Sequence, residues 1–314
     1  MSHFPGIAAT KLNECPVCEG PARPWRIKSS SLGEFPIETC AECGFGFVNP
    51  RPSSEYLMNF YAVSGHARGD PSELPTATLE DILAAEQEFP NSTLDASRIV
   101  RNTAYILADK IKTYRLLDVG CGFGFFSREA RGAGFEVTAI ELASHERGVA
   151  TQLAGVVPQA VSFEGFKAEP NSFSAILMSQ ILEHAQDVNV WVAKANSLLV
   201  PHGVLAIALP NFDSIFRRLM QERDPFVTPP AHLNFFSPAS LKTLLERHGF
   251  RIQRTQWTSR FRPGAVERRV PAMIRSVTPL IDIGAKAALK TLDHLRLGQM
   301  ITVYAQKEAG VARS

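Results

Sequence analysis

The sequence contains no apolar run near the ~18 residues that a membrane helix needs. Its first residues, Met1-Ser2-His3-Phe4-Pro5-Gly6, lack a charged head leading into an apolar stretch. Neither a signal peptide nor a membrane span is expected, and the expected location is cytoplasmic. Surplus charge is also nearly absent, because 33 Lys and Arg against 31 Asp and Glu leave a formal net charge of +2. That balance offers no general attraction to nucleic acid or anionic lipid. Cysteine is scarce, five in 314 residues. In a cytoplasmic chain these are thiols or metal ligands, since disulfides rarely persist there. The rest reads as globular, with 45% hydrophobic and 20% charged residues. The length suits one α/β domain plus an extra module.

Four of the five cysteines form two pairs, Cys15-Pro16-Val17-Cys18 and Cys40-Ala41-Glu42-Cys43, with 21 residues between them. Two Cys-x-x-Cys pairs at this separation read as two zinc knuckles, each followed by a small or glycine-bearing turn, Glu19-Gly20 and Gly44. Four thiolates on one Zn²⁺ make a closed tetrahedral site with no open position for water, so the expected role is structural. A redox pair would need one motif, not two.

The stretch Leu116-Leu117-Asp118-Val119-Gly120-Cys121-Gly122-Phe123-Gly124-Phe125-Phe126 organises the remainder of the chain. An apolar strand gives way to three alternating glycines and then to a helix-compatible segment, the pattern of a tight turn beneath a nucleotide-like ligand. Asp118 lies inside the run, and Glu141 ends the next apolar stretch, Phe135 to Ile140. An acid there accepts hydrogen bonds from two ribose hydroxyls, while Asp118 can face an ammonium. Negative charge at both ends argues against a pyrophosphate.

On these residues the chain resembles the class I S-adenosylmethionine-dependent methyltransferases, whose first motif is Asp/Glu-x-Gly-x-Gly-x-Gly. Asp118, Gly120, Gly122 and Gly124 fill it in order, whereas dinucleotide-binding turns space their glycines Gly-x-Gly-x-x-Gly. The segments Ser179-Gln180-Ile181-Leu182-Glu183-His184, Pro229 to Ser237 and Gln299 to Lys307 resemble later parts of the same family. The zinc module resembles that of a small-molecule methyltransferase subgroup, including saccharide enzymes. The resemblance implies an α/β, Rossmann-like seven-stranded fold with a small N-terminal zinc ribbon. It also implies cofactor contacts from Asp118, Gly120, Cys121, Gly122, Gly124, Phe125, Glu141, Leu142 and Gln180. For the adenine it offers Glu164, with Phe163 or Phe166 stacking as the alternative. The acceptor-side histidines are His232, assigned as general base, and His184, assigned to orientation.

Three regions are expected: a zinc module over 1–62, a linker and pocket-covering helices over 63–111, and the catalytic domain over 112–314. A helix is expected from Ser54 to Tyr61, and helical pieces from Thr78 to Ile111 break near Pro90, with Ser92 as a cap. Strands at Arg115–Val119, Glu136–Glu141, Val156–Phe163, Ser174–Ser179 and Val204–Leu209 alternate with helices, which predicts a parallel sheet. Two further strands run from Gly249 to Trp257 and from Gln299. The insertion 259–298 is basic at its start, at Arg260, Arg262, Arg268, Arg269 and Arg275, and amphipathic from Ala272 to Leu295. It suits a solvated packing helix, a lid, or a surface helix resting on a membrane or partner.

The expected function is S-adenosylmethionine-dependent methyl transfer to a small molecule, a hydroxyl oxygen of a saccharide or secondary metabolite. Carbon or nitrogen acceptors stay open as alternatives. A nucleic-acid methyltransferase is the second class, opposed by the missing Asn/Asp-Pro-Pro-aromatic segment after the fourth strand and by the low charge. A non-catalytic scaffold docking through its zinc ribbon is the third.

Overall fold

The computed structural model describes residues 9–64, 77–108, 114–260 and 278–309. Most of the expected linker, and Arg262, Arg268, Arg269 and Arg275 of the insertion, lie outside these residues. The chain opens with β1 (Ala9–Thr10), β2 (Ala22–Ser30), β3 (Gly33–Cys40), β4 (Gly46–Val48), β5 (Arg51–Pro52) and α1 (Ser54–Ser64). Strands β2, β3 and β4 form an antiparallel meander, and β1 pairs with β5.

Helices α2 (Leu79–Glu88) and α3 (Asn91–Leu107) come next. Thr78 caps α2 in a capping box with Asp81. The helical break falls at Pro90 as expected, but Ser92 is not the cap. Pro90 at the N-cap has no side-chain acceptor, and Glu86 takes over from the last turn of α2. Its two carboxylate oxygens accept from the Ser92 and Thr93 amides at 3.0 Å each.

The larger half comprises β6 (Arg115–Val119), α4 (Phe125–Gly132), β7 (Glu136–Ile140), α5 (Ser144–Ala154), β8 (Phe173–Ser179), α6 (Val188–Leu198) and β9 (Leu199–Pro210). Then come α7 (Ile215–Met220), β10 (Asn234–Phe235), α8 (Pro238–Arg247), β11 (Phe250–Thr258), α9 (Thr278–His294) and β12 (Met300–Lys307). The main sheet runs β11-β12-β9-β8-β6-β7. Its β7-β6-β8-β9 part is parallel, as the alternation predicts. The two strands that follow the alternating part differ in direction, since β12 lies antiparallel between β9 and β11. The third strand, expected over Val156–Phe163, is reduced to one bridge, Ile140 to Gln159. Pro158 has no amide to give a ladder, and Phe163 turns inward to pack against Trp191. Helix α8 begins with Pro238 behind a Ser237 capping box, the pattern its sequence announces.

One hydrophobic core joins the two halves. Cys15, Val17, Phe45 and Phe47 belong to the same buried cluster as Leu117, Ile176, Leu205, Phe236 and Val303. The Phe45 ring lies 4.9 Å from that of Phe236. Strand β10 adds itself to the N-terminal meander, with Asn234 opposite Phe47 and Phe235 opposite Gly46. The loop before β10 is thereby fastened to the cysteine-bearing strands. Helix α9 is anchored by Asp293, which accepts from the Ser259 amide at 3.0 Å and hydroxyl at 2.7 Å. Much of its described surface is exposed, Ile283 at 64%. No helix among the described residues is long and apolar enough to cross a membrane.

Candidate active site

The glycine turn sits at the carboxyl end of β6, where open α/β sheets take their ligands. Gly120, Gly122 and Gly124 all have positive φ, 64°, 52° and 86°, conformations that other residues resist. Packing also demands two of them. A Cβ on Gly120 would lie 2.5 Å from Ile181, and one on Gly124 would lie 2.9 Å from the Ala150 backbone.

Glu141, one residue past β7, closes the turn from the side. Its carboxylate accepts from the Gly122 amide at 3.0 Å and the Ala143 amide at 3.0 Å. A carboxylate has about four acceptor sites, so two remain for outside donors. Asp118 is buried beneath the turn and accepts from Ser127 Oγ at 2.7 Å. Burial raises its carboxyl to about 6, the nearby Glu141 charge adds to the rise, and Ser127 opposes it. Cys121 is buried and its thiol is pushed up, first by burial and then by Asp118, so it packs rather than reacts. Phe125 starts α4 under the Arg128 guanidinium, 5.4 Å from its ring centre. Leu142 is half-buried beside Glu141. Gln180, at φ +54°, turns the chain off β8 and donates its amide to Ala208 O at 2.6 Å.

The adenine candidates fare differently. Glu164 accepts from Trp191 Nε1 at 2.6 Å. Phe163 and Phe166 are core residues, 2% and 3% exposed, packed against Trp191 and Phe173. Both rings are largely enclosed by the core in this structure.

The two histidines meet at the carboxyl end of β8, their ring centres 5.0 Å apart. His184 is held at both nitrogens, Nδ1 2.7 Å from Ala231 O and Nε2 3.1 Å from Gln180 O. His232 makes one such contact, Nδ1 to Phe226 O at 2.7 Å. Desolvation lowers it to about 4, so at neutral pH the ring is uncharged. The proton then sits on Nδ1, facing the carbonyl, and Nε2 carries the lone pair. A cavity of about 10 Å³, walled by Arg217, Asp224, Phe226, His232 and Asn234 among others, lies beside it. It is sized for about one water.

Sequence reasoning assigned no role to three neighbours. Tyr61 of α1 sits edge-on to His184 at 5.3 Å and donates to Ala231 O at 2.6 Å. Arg51 of β5 is buried and donates to Ala185 O, Gln186 O and Asn234 Oδ1. Glu183 is buried with its carboxylate beside both histidines, the ligand atoms of all three within 4.8 Å of one another. Its adjacency to His184 was the available signal. No local pattern marks Tyr61 or Arg51.

The four paired cysteines also converge, their sulfurs within 4.8 Å of one another. Cys15 and Cys43 sulfurs are 3.6 Å apart, and Cys18 and Cys40 sulfurs 3.4 Å. A tetrahedral zinc with bonds of about 2.3 Å has sulfur-sulfur edges of about 3.8 Å, whereas disulfides need about 2.05 Å. The Val17 and Glu42 amides point at Cys15 and Cys40 sulfurs, each 3.4 Å away. The donor set fits a thiolate-bound metal.

The family model described as "Methyltransferase domain" matches residues 92–255. The chain belongs to this methyltransferase family. Among curated relatives, the methyltransferase is similar to a ubiquinone biosynthesis O-methyltransferase of Xanthomonas campestris pv. campestris. The two are 37% identical over 132 residues, 40% of this chain and 55% of that protein. The enzyme of the same name from Sinorhizobium fredii is 30% identical over 106 residues, 32% of this chain and 43% of that one. The chain thus spans about half the length of the curated relatives it matches. Among solved structures, a magnesium protoporphyrin IX methyltransferase from Synechocystis PCC 6803 with bound SAH aligns at TM-score 0.51 and 14% identity. That alignment covers 82% of this chain and all of the other. An S-adenosylmethionine-dependent methyltransferase from Archaeoglobus fulgidus aligns at 0.50 and 19% identity over 72% of this chain and 99% of that one. At these identities the structural likeness speaks to fold.

Proposed function

We propose that this methyltransferase transfers the methyl group of S-adenosylmethionine to a hydroxyl oxygen of a small molecule, with His232 as general base. The observation that carries the reading is the tethering of His232. Its Nδ1–H is committed to Phe226 O, which leaves Nε2 as the proton acceptor at the carboxyl end of the sheet. The bound cofactor supplies a methyl group on a sulfonium, which leaves readily, so the protein's work is placement and proton removal.

Glu141 receives the ribose hydroxyls on its two remaining acceptor sites, and the turn Gly120, Cys121, Gly122 and Gly124 lets the backbone approach. Asp118 holds that turn through Ser127. Phe125, Leu142 and Gln180 line the same end of the sheet, and Glu164 is retained as the adenine candidate. His184, tied at both nitrogens, braces Gln180 and the Ala231 loop rather than taking the proton.

Cys15, Cys18, Cys40 and Cys43 hold one structural zinc. It keeps β4, and through β4 the strand β10 that comes after His232, in register. The region 1–62 acts as the zinc module, and 112–314 as the catalytic domain. The likeness to O-methyltransferases over half their length supports an oxygen acceptor.

The test is His232→Ala. The expected result is a fall in kcat of roughly 10² to 10⁴, the worth of general-base catalysis, with cofactor affinity retained. A rate that survives this change and collapses with His184→Ala would exchange the two roles.

A further inference from the structure

One buried acid stands beside the histidine pair. Glu183 is 1% exposed, and neither carboxyl oxygen has a hydrogen-bond partner among the described residues. A buried carboxyl without a partner is costly and rare, so it calls for a reason. Its carbonyl is engaged, since Glu183 O accepts from the Leu233 amide at 2.9 Å and from Asn234 Nδ2 at 3.3 Å. The residue is therefore locked in place with its acidic end beside His184 and His232.

Among the described residues, none of the groups around it donates a hydrogen bond to its carboxyl. Arg51 directs its guanidinium to Ala185 O, Gln186 O and Asn234 Oδ1. Tyr61 gives its hydroxyl to Ala231 O, and His184 faces two carbonyls. Among the described residues, the Glu183 carboxyl is without a hydrogen-bond partner and lies within 4.8 Å of a ring nitrogen of His232.

We infer that Glu183 is the resting place of the proton that His232 takes from the acceptor. It acts through the imidazole and not on the methyl group, so it is a positioning residue. This role depends on His232 being the base. In the step, the hydroxyl proton moves to His232, and the O–H electron pair forms the new oxygen–carbon bond. The methyl group's former bonding pair stays with its carrier. The imidazolium then passes a proton to the Glu183 carboxylate, which later releases it to water. His232 alone, held near 4 by desolvation, is a poor sink for a proton at neutral pH. Burial raises Glu183 to about 8, which makes its carboxylate the better one.

The experiment compares wild type, Glu183→Gln and Glu183→Asp. Turnover of the wild type rises with pH toward about 8, as Glu183 ionises. In Glu183→Gln that rise disappears and kcat falls about tenfold or more, with S-adenosylhomocysteine affinity unchanged, while Glu183→Asp restores part of both. Infrared difference spectra of the wild type, without turnover, show a protonated carboxyl at pH 6 that is lost by pH 9 and is absent from Glu183→Gln. A wild-type rate and pH profile in Glu183→Gln would overturn the inference, as would a carboxyl already ionised at pH 6. So would Mn²⁺ binding, followed by electron paramagnetic resonance, that vanishes in Glu183→Gln, since the carboxyl would then hold a cation. If His232→Ala is fully active, the reading of His232 as base fails first. If His232→Ala is inactive and Glu183→Gln is normal, the proton-sink role alone fails.

Discussion

Stripping zinc from the cysteine cluster, by a chelator or by Cys43→Ser, should disable turnover while sparing the cofactor turn. The four sulfurs lie at one end of a core that contains Phe45 and Phe47, both fully buried. The ring of Phe45 packs on Phe236, the residue after the β10 pairing with β4. Ser237 Oγ donates to Cys43 O at 3.3 Å, and Arg247 Nη1 donates to Val17 O at 2.6 Å. If the cysteine turns open, the two phenylalanines lose their cover, at about 1.5–3 kcal/mol each. The attached hydrogen bonds cost about 1 kcal/mol apiece. The sum is about 5 kcal/mol or more, which lowers Tm by roughly 10 °C or more in a domain of this size. His232 stands two residues before Asn234 of β10, so it shifts with that strand. Gly120 to Glu141 are held by β6, β7 and α5, and stay. Calorimetry with S-adenosylhomocysteine and a thermal melt, each run with and without chelator, separate the two effects. The expected pattern is retained binding, lower Tm and lost kcat. Unchanged Tm and turnover after zinc is demonstrably removed would refute the coupling, and elemental analysis finding no zinc in reduced protein would remove its premise.

Glu141→Ala should cost cofactor affinity by about 2 kcal/mol or more, because buried hydroxyls would lose their acceptor. Calorimetry showing unchanged affinity would clear Glu141 of that role. Glu183→Gln should stabilise the protein increasingly as pH rises. The folded-state value, raised from its ordinary 4.5 to about 8, means the folded chain binds this proton more tightly than the unfolded one. Its stabilising contribution is therefore complete below about 4.5 and is lost as pH climbs through about 8, at most about 4–5 kcal/mol in all. Melts at pH 6 and pH 9 should show the gap between variant and wild type widening at the higher pH. A gap that narrows would mean the carboxyl is ionised in the folded state.

The parts of this structure that are legible in the sequence are those with local causes. β6, α4 and the start of α5 fall where the Leu116–Phe126 run and Ser144 put them, because strand, glycine turn and helix each leave a residue-level mark. The two cysteine pairs meet as their spacing implies. Features that depend on distant partners stay hidden. Ser92 has the chemistry of a cap, but Glu86 reaches across Pro90 to the same amides. The stretch around Val156 has the composition of a strand, yet it keeps only one bridge. That Phe163 and Phe166 pack against Trp191 and Phe173 is set by the fold and leaves no local mark. Glu183 is visible beside His184, but its missing partners are not. Nothing near Arg51 or Tyr61 signals that the cysteine-bearing segment supplies side chains to the histidine site.

The fate of a labelled methyl group tests the assignment of His232 and of an oxygen acceptor most directly. Wild-type protein is incubated with methyl-labelled S-adenosylmethionine and a panel of hydroxylated small molecules, alongside His232→Ala, and products are read by mass spectrometry. The expected result is label in a methoxy group, with at least about a hundredfold less product from His232→Ala under the same conditions. Label on nitrogen or carbon, or equal product from both proteins, would contradict it.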